Sequence, residues 1–202
     1  MALSSPKKVF SSLCVFCGSS IGNDPAFAHA AETLGALLAA NGTTLIYGGG
    51  NTGLMGTLAE SALKHGGRVI GVMPHALAEK EVAHTSLTEL RLVASMHERK
   101  ATMAHLAEGF LALPGGHGTL EEFFEVLAWG QLGLHAKPFG LLNVSNYYGH
   151  LLSFVDHAIG CALIRPEYRE LMLHDSDAAR LLTRMAEWEP VKVEKWIKKK
   201  KP

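Results

Sequence analysis

A chain of 202 residues suits one domain or two tightly fused small ones, and can bury about 70% of its unfolded surface. With 48% hydrophobic and 19% charged residues the composition is that of an ordinary globular protein, which excludes global disorder. No apolar run approaches the roughly 20 residues of a membrane helix, and the N-terminal MALSSPKKVFSSL lacks the sustained apolar stretch of a secretory leader. Three Cys cannot build a disulfide framework, so a reducing, cytoplasmic setting is expected. The formal net charge of zero hides an asymmetry: from Val191 onward there are six Lys and one Glu, leaving 13 basic and 18 acidic groups in residues 1–190. An acidic body argues against a nucleic-acid-coating protein. The expected organisation is a single domain over residues 1–190, followed by a basic, solvated tail over 191–202.

In chain order, Leu13–Phe16 reads as a short buried strand broken by Cys17-Gly18-Ser19-Ser20. Asp24-Pro25 starts a helix, as N-cap and first-turn proline, and Asn41-Gly42 ends it. Thr43–Tyr47 is a second strand, running into Gly48-Gly49-Gly50-Asn51-Thr52-Gly53, and Leu54, Met55, Leu58, Ala59, Ala62 and Leu63 mark the next amphipathic helix. Strands follow at Arg68–Met73, Glu89–Val93, Phe110–Leu113 and Phe139–Val144, with helices predicted over about 95–108 and 120–132 and through most of the remainder. Apolar strands alternating with helices predict an α/β, Rossmann-like, doubly wound parallel sheet covered on both faces.

In such a sheet ligands bind beyond the carboxyl ends of the strands. Three glycine or serine turns fall at those ends, 18–20, 48–53 and 115–119, each preceding a helix whose free N–H groups suit an anion. Three such turns in one small domain point to a phosphate-bearing ligand. The spacing Gly48-x-Gly50-x-x-Gly53 matches a dinucleotide fingerprint, but the strand ending near Met73-Pro74 supplies no acidic residue for a ribose, and Leu54 stands where a Walker lysine would. Classical NAD or ATP binding is therefore disfavoured.

Two further segments carry charge into this region. Ser95-x-x-Glu98 reads as a capping box, while Arg99 shares a helical face with Met96, Met103 and Leu106. An arginine on an apolar face needs a partner, either a carboxylate or a bound anion. Thr119-x-x-Glu122 also has capping-box spacing, yet Glu121 and Glu122 directly follow a loop suited to phosphate, where a carboxylate could stabilise an oxocarbenium-like centre or activate water.

Met96-His97-Glu98-Arg99-Lys100 followed by Pro114-Gly115-Gly116-His117-Gly118-Thr119-Leu120-Glu121-Glu122 resembles the LOG ("LONELY GUY") family of cytokinin-activating phosphoribohydrolases, whose PGGxGTxxE pattern is matched at every fixed position. The resemblance extends through Cys14–Ser20, Tyr47–Gly50, Gly53–Gly56, Trp129–Gly133 and Gly140–Val144, covering roughly residues 10–185. It implies a Rossmann-like homodimer without a redox cofactor that hydrolyses the N-glycosidic bond of a cytokinin riboside 5′-monophosphate to free base and ribose 5-phosphate. AMP is a second candidate substrate, and a higher oligomer is left open. On this resemblance Arg99 and Glu122 carry catalysis. Gly115, Gly116, His117, Gly118 and Thr119 hold the 5′-phosphate, and Leu120, Lys100, Glu121 and Glu81 contact substrate. Gly18, Ser19, Gly49, Gly50 and Asn51 complete the expected binding set. In this picture Arg99 keeps Glu122 ionised. The acid that protonates the leaving base is left open, with His97 and His117 nearby, and Ala128 stands where plant members often carry Thr. Family members have often been labelled lysine decarboxylases, but no lysine here has a convincing Schiff-base context.

Cys14-x-x-Cys17 lies along a strand, where an offset of three points the thiols to opposite faces, so buried thiols are expected rather than a redox pair. The 11 His show no metal-binding spacing. A non-enzymatic nucleotide-binding module of the same fold remains the second reading, in which Glu122 is only a helix cap.

Overall fold

The computed structural model describes residues 10–78 and 83–190, so Glu81 and the basic segment from Val191 lie outside the described residues. Seven parallel strands form one sheet in the order β4-β3-β2-β1-β5-β6-β7. They are β1 (Ser12–Phe16), β2 (Thr44–Tyr47), β3 (Val69–Pro74), β4 (Glu89–Val93), β5 (Phe110–Ala112), β6 (Phe139–Leu142) and β7 (Leu173–Asp175). The helices are α1 (Pro25–Ala40), α2 (Gly53–Lys64), the single turn α3 (His75–Ala78), α4 (Met96–Leu106), α5 (His117–Gln131), α6 (Gly149–Gly160) and α7 (Ala178–Glu187).

Alternation along β1 divides the core in two. Leu13, Val15 and Cys17 face a cluster closed by α1, α2 and α7, while Cys14 and Phe16 face another closed by α4, α5 and α6. The two neighbouring cysteines therefore lie on opposite faces, both buried and free. Burial pushes both thiols well above the ordinary range, which leaves them un-ionised and unreactive. At the amino-terminal end of β5 and β6 the His135 ring packs on Phe110 and Phe139, at centroid distances of 5.4 and 5.3 Å. There the Lys137 ammonium donates to the Ala104 carbonyl at 2.6 Å.

The expected strands and helices are present, with differences that have local causes. The α1 signals hold in detail: Asp24 accepts from the Ala26 N–H at 2.9 Å, and the chain leaves the helix through Asn41 into Gly42 at φ 68°. The strands predicted to 113 and 144 stop at Ala112 and Leu142. Strand β7 was not anticipated, because it is three half-buried residues on a sheet edge with no apolar run to mark it. Helix α5 begins at His117 with Gly116 as its N-cap, three residues before the predicted start.

The order of the strands opens the site. From β1 the chain winds towards β4, and from β5 it winds the other way, so the loops after β1 and β5 separate at the middle of the sheet. The loop after β2 closes on them: Leu54 N–H donates to the Gly18 carbonyl at 3.1 Å, and Gly18 N–H to the Pro114 carbonyl at 3.1 Å. Gly53 makes this approach practicable, since its φ is +56° and a Cβ there would collide with the Ser19 backbone.

Helices α1 and α2 cross tightly at Gly35, where an added Cβ would lie 2.6 Å from the Leu58 carbonyl oxygen. Gly35→Val should therefore cost about 1–3 kcal/mol through overpacking. A calorimetric scan should show this as a lower Tm.

Candidate active site

Arg99 lies in the first turn of α4, which begins at the carboxyl end of β4. Ser95 caps this helix by accepting from the Glu98 N–H at 3.2 Å, and the Glu98 carboxylate accepts from the Ala94 N–H at 2.7 Å. Glu98 is thus spent on the helix start, as the capping-box spacing suggests. Arg99 is held from three directions. Its Nε donates to the Val72 carbonyl at 3.0 Å, its Nη1 to Glu122 Oε1 at 2.6 Å, and its Nη2 lies where a side chain at Gly48 would have to go. Each of the two side chains in the ion pair retains 12% exposure, so the pair is mostly desolvated but still reachable.

Glu122 does not cap its own helix. Thr119 sits inside α5, one turn past the Gly116 cap, buried against Gly115, and the Glu122 carboxylate turns to α4 instead. The capping-box reading of Thr119 and Glu122 is therefore incorrect, and the open choice of partner for Arg99 resolves to a carboxylate. Burial pushes the Glu122 carboxyl above the usual carboxylate range. Arg99 pulls it back without outweighing burial, while Glu121 adds to the rise. Arg99 thus favours the ionised form, as expected, against the larger opposing effect of burial.

The next residue, Lys100, is clamped by Glu121 at 2.5 Å and by Glu125 at 2.9 Å, an arrangement that raises its pKa and keeps it an ammonium ion. Glu125 was not singled out from sequence, although its helical spacing of four from Glu121 places the two on one face of α5. Tyr147 was also missed: its hydroxyl donates to the Gly115 carbonyl at 2.7 Å. At the α5 terminus the helical ladder begins with Leu120 N–H to Gly116 C=O at 3.1 Å. The amides of His117, Gly118 and Thr119 precede it and point out of the helix end, an anion-binding geometry. His97 and His117 are both exposed.

Gly18, Ser19, Gly115 and Gly116 line a cavity of about 250 Å³ beside this terminus, together with Phe27 and Tyr147. Gly49 and Gly50 are buried in the loop after β2, and Asn51 is half-buried just before α2. The structure therefore brings Arg99, Lys100, Glu121 and Glu122 together between α4 and α5, and gathers the glycine loops at the same end of the sheet. Among the described residues no group of three or more His, Cys, Asp or Glu could hold a metal ion, and no helix is long and apolar enough to cross a membrane.

A family model described as "Possible lysine decarboxylase" matches residues 55–185. That description fits the site poorly, because Lys100, the lysine beside the ion pair, is held protonated by two carboxylates whereas a Schiff base forms from a free amine. The curated relatives point elsewhere. A probable cytokinin riboside 5′-monophosphate phosphoribohydrolase of Oryza sativa subsp. japonica is 52% identical over 182 residues, covering 90% of this chain and 80% of the relative. A cytokinin riboside 5′-monophosphate phosphoribohydrolase of Arabidopsis thaliana is 48% identical over 185 residues, covering 91% and 85%. Among solved structures, the molybdenum cofactor carrier protein of Chlamydomonas reinhardtii superposes with a TM-score of 0.67 at 20% identity, over 87% of this chain and 96% of that one. The molybdenum cofactor binding protein of Rippkaea orientalis gives 0.62 at 24% identity, over 83% and 90%. These two likenesses speak for the fold. The identity to the plant enzymes, sustained over nine-tenths of the sequence, establishes that the chain belongs to the LOG family of cytokinin riboside 5′-monophosphate phosphoribohydrolases.

Proposed function

We propose that the chain hydrolyses the N-glycosidic bond of cytokinin riboside 5′-monophosphates, releasing free base and ribose 5-phosphate. The observation that carries this reading is the Glu122 carboxylate, held by Arg99 rather than by its own helix cap, six residues past the Gly116 cap of a helix with free terminal amides. The 5′-phosphate accepts from the amides of 117–119, with Gly18 and Ser19 across the crevice. As the C1′–N bond lengthens, positive charge develops on the ribose and the Glu122 carboxylate stabilises it. Glu122 then orients or deprotonates the attacking water, and Arg99 fixes the carboxylate in place. Lys100 balances Glu121 and Glu125 and so keeps two carboxylates on α5 from acting unopposed beside the bound anion. Glu122's freedom from capping supports an enzyme over a non-enzymatic nucleotide carrier, because a pure binder gains nothing from a desolvated carboxylate beside an anionic ligand.

We assign this activity to one domain over residues 1–190, acting as a homodimer in a reducing cytoplasm. The single continuous sheet supports the first assignment, and the unpaired Cys14, Cys17 and Cys161 are consistent with the compartment. Met96 on α4 and Phe124 on α5 are 42% and 37% exposed, which supports a second copy covering this helix layer.

Base release from isopentenyladenosine 5′-monophosphate and from AMP, measured beside the two ribosides, tests the activity. Isopentenyladenosine 5′-monophosphate should react and the ribosides should not, with the rate on AMP relative to it reading the base preference; no release from any of them would overturn the reading. Glu122→Gln should lower kcat roughly 10²–10⁴-fold.

The pH profile gives an independent check. The carboxylate must be ionised, so kcat/KM should rise with pH through a Glu122 pKa above the ordinary carboxylate range. Arg99→Met removes the cation that lowers this pKa, so the acid limb should move to higher pH as activity falls. Sedimentation equilibrium should show a dimer that Phe124→Glu weakens.

A further inference from the structure

The turn between β6 and α6 is strained in a way that the fold alone does not require. Ser145 and Asn146 both adopt the left-handed conformation, at φ 49° and 58°, which costs non-glycine residues free energy and is retained where a side chain must be aimed. The turn is tied down by its own side chains: Asn143 Oδ1 accepts from the Tyr148 N–H at 2.7 Å, and Asn143 Nδ2 donates to Asn146 Oδ1 at 3.3 Å. The strain delivers Tyr147. Its ring stands edge-on to Phe27 at 5.5 Å and to Tyr148 at 5.0 Å, while its hydroxyl reaches across the cavity to the Gly115 carbonyl.

The 115–116 peptide is where such a contact matters. Gly115 is wedged, since a Cβ there would strike Thr119 and Gly18, whereas a Cβ at Gly116 would meet nothing within 4 Å. Two glycines in succession leave the peptide plane between them free to flip. The 115–116 peptide is trans, so the Gly115 carbonyl and the Gly116 N–H point in opposite directions. Holding the carbonyl towards Tyr147 aims that N–H away from it, and keeps the carbonyl's negative end from facing an anion at the α5 terminus.

We propose that Tyr147 is a positioning residue for phosphate recognition: its hydroxyl fixes the 115–116 peptide and so presets the donors that receive the 5′-phosphate. This rests on the phosphoribohydrolase reading, and the experiment separates the two.

Tyr147→Phe removes the hydroxyl and keeps the ring. It should raise KM for the monophosphate roughly 3–10-fold with kcat little changed, as expected for one lost hydrogen bond. Calorimetric titration with ribose 5-phosphate should show the same loss of affinity. Tyr148→Phe is the control, because the Tyr148 hydroxyl donates to the buried Leu113 carbonyl at 2.6 Å; it should lower Tm and leave KM unchanged. If wild type releases base but Tyr147→Phe matches it in KM and in ribose 5-phosphate affinity, the proposal for Tyr147 fails and the activity stands. A fall in Tm and kcat at constant KM would likewise overturn it, as a purely structural effect. If wild type releases no base, the activity reading fails, and ribose 5-phosphate affinity in the two proteins still decides the role of Tyr147.

Discussion

A guanidinium cannot be stored in a protein interior without partners, and most of this site is arranged to provide them for Arg99. The carbonyl of Val72 at the end of one strand, the carboxylate of Glu122 on a neighbouring helix and the bare backbone of Gly48 in a loop each take one side of the planar fork. These three contributors come from β3, from α5 and from the loop after β2, elements far apart in the chain. Fixing one side chain therefore fixes the relation of two helices and one loop to the sheet. The site is pre-organised by the same contacts that satisfy a buried charge.

The balance at Glu122 follows from this arrangement. A carboxylate in water needs no help to stay ionised, but it is then too well solvated to respond strongly to charge developing on a sugar. Burial strengthens the response and raises the cost of ionisation together, and the neighbouring cation returns part of that cost. Lys100 is treated differently. Two carboxylates hold it as a fixed positive charge, so it contributes field rather than proton transfer.

How much of this could be read in the sequence depended on the range of the interaction. The α1 boundaries were legible because Asp24-Pro25 and Asn41-Gly42 act within one turn of themselves. The glycine loops were legible as phosphate-suited turns for the same reason. The partner of Arg99 was not, because a carboxylate 23 residues away and a bound anion are equally good answers until the helices are placed. The same spacing that suggested a cap at Thr119 and Glu122 misled, since a glycine three residues earlier offered the helix a start without a side chain. Tyr147 was invisible because its partner, the Gly115 carbonyl, lies 32 residues away in the chain. The family motif pointed to Arg99 and Glu122, which the structure pairs, but not to the seat at Gly48 nor to the clamp on Lys100 from Glu125.

The aromatic cluster at the far end of the strands has a consequence of its own. His135, Phe110 and Phe139 pack with Lys137 where β5 and β6 begin, a full strand length from the glycine loops at which those same strands deliver the chain. The cluster is tied to both helices of the ion pair, since Lys137 donates to the Ala104 carbonyl of α4 and the His135 ring donates to the Val126 carbonyl of α5 at 3.0 Å. The packing where β5 and β6 begin thereby helps to seat the two helices that hold Arg99 and Glu122, and the two ends of the sheet are mechanically linked.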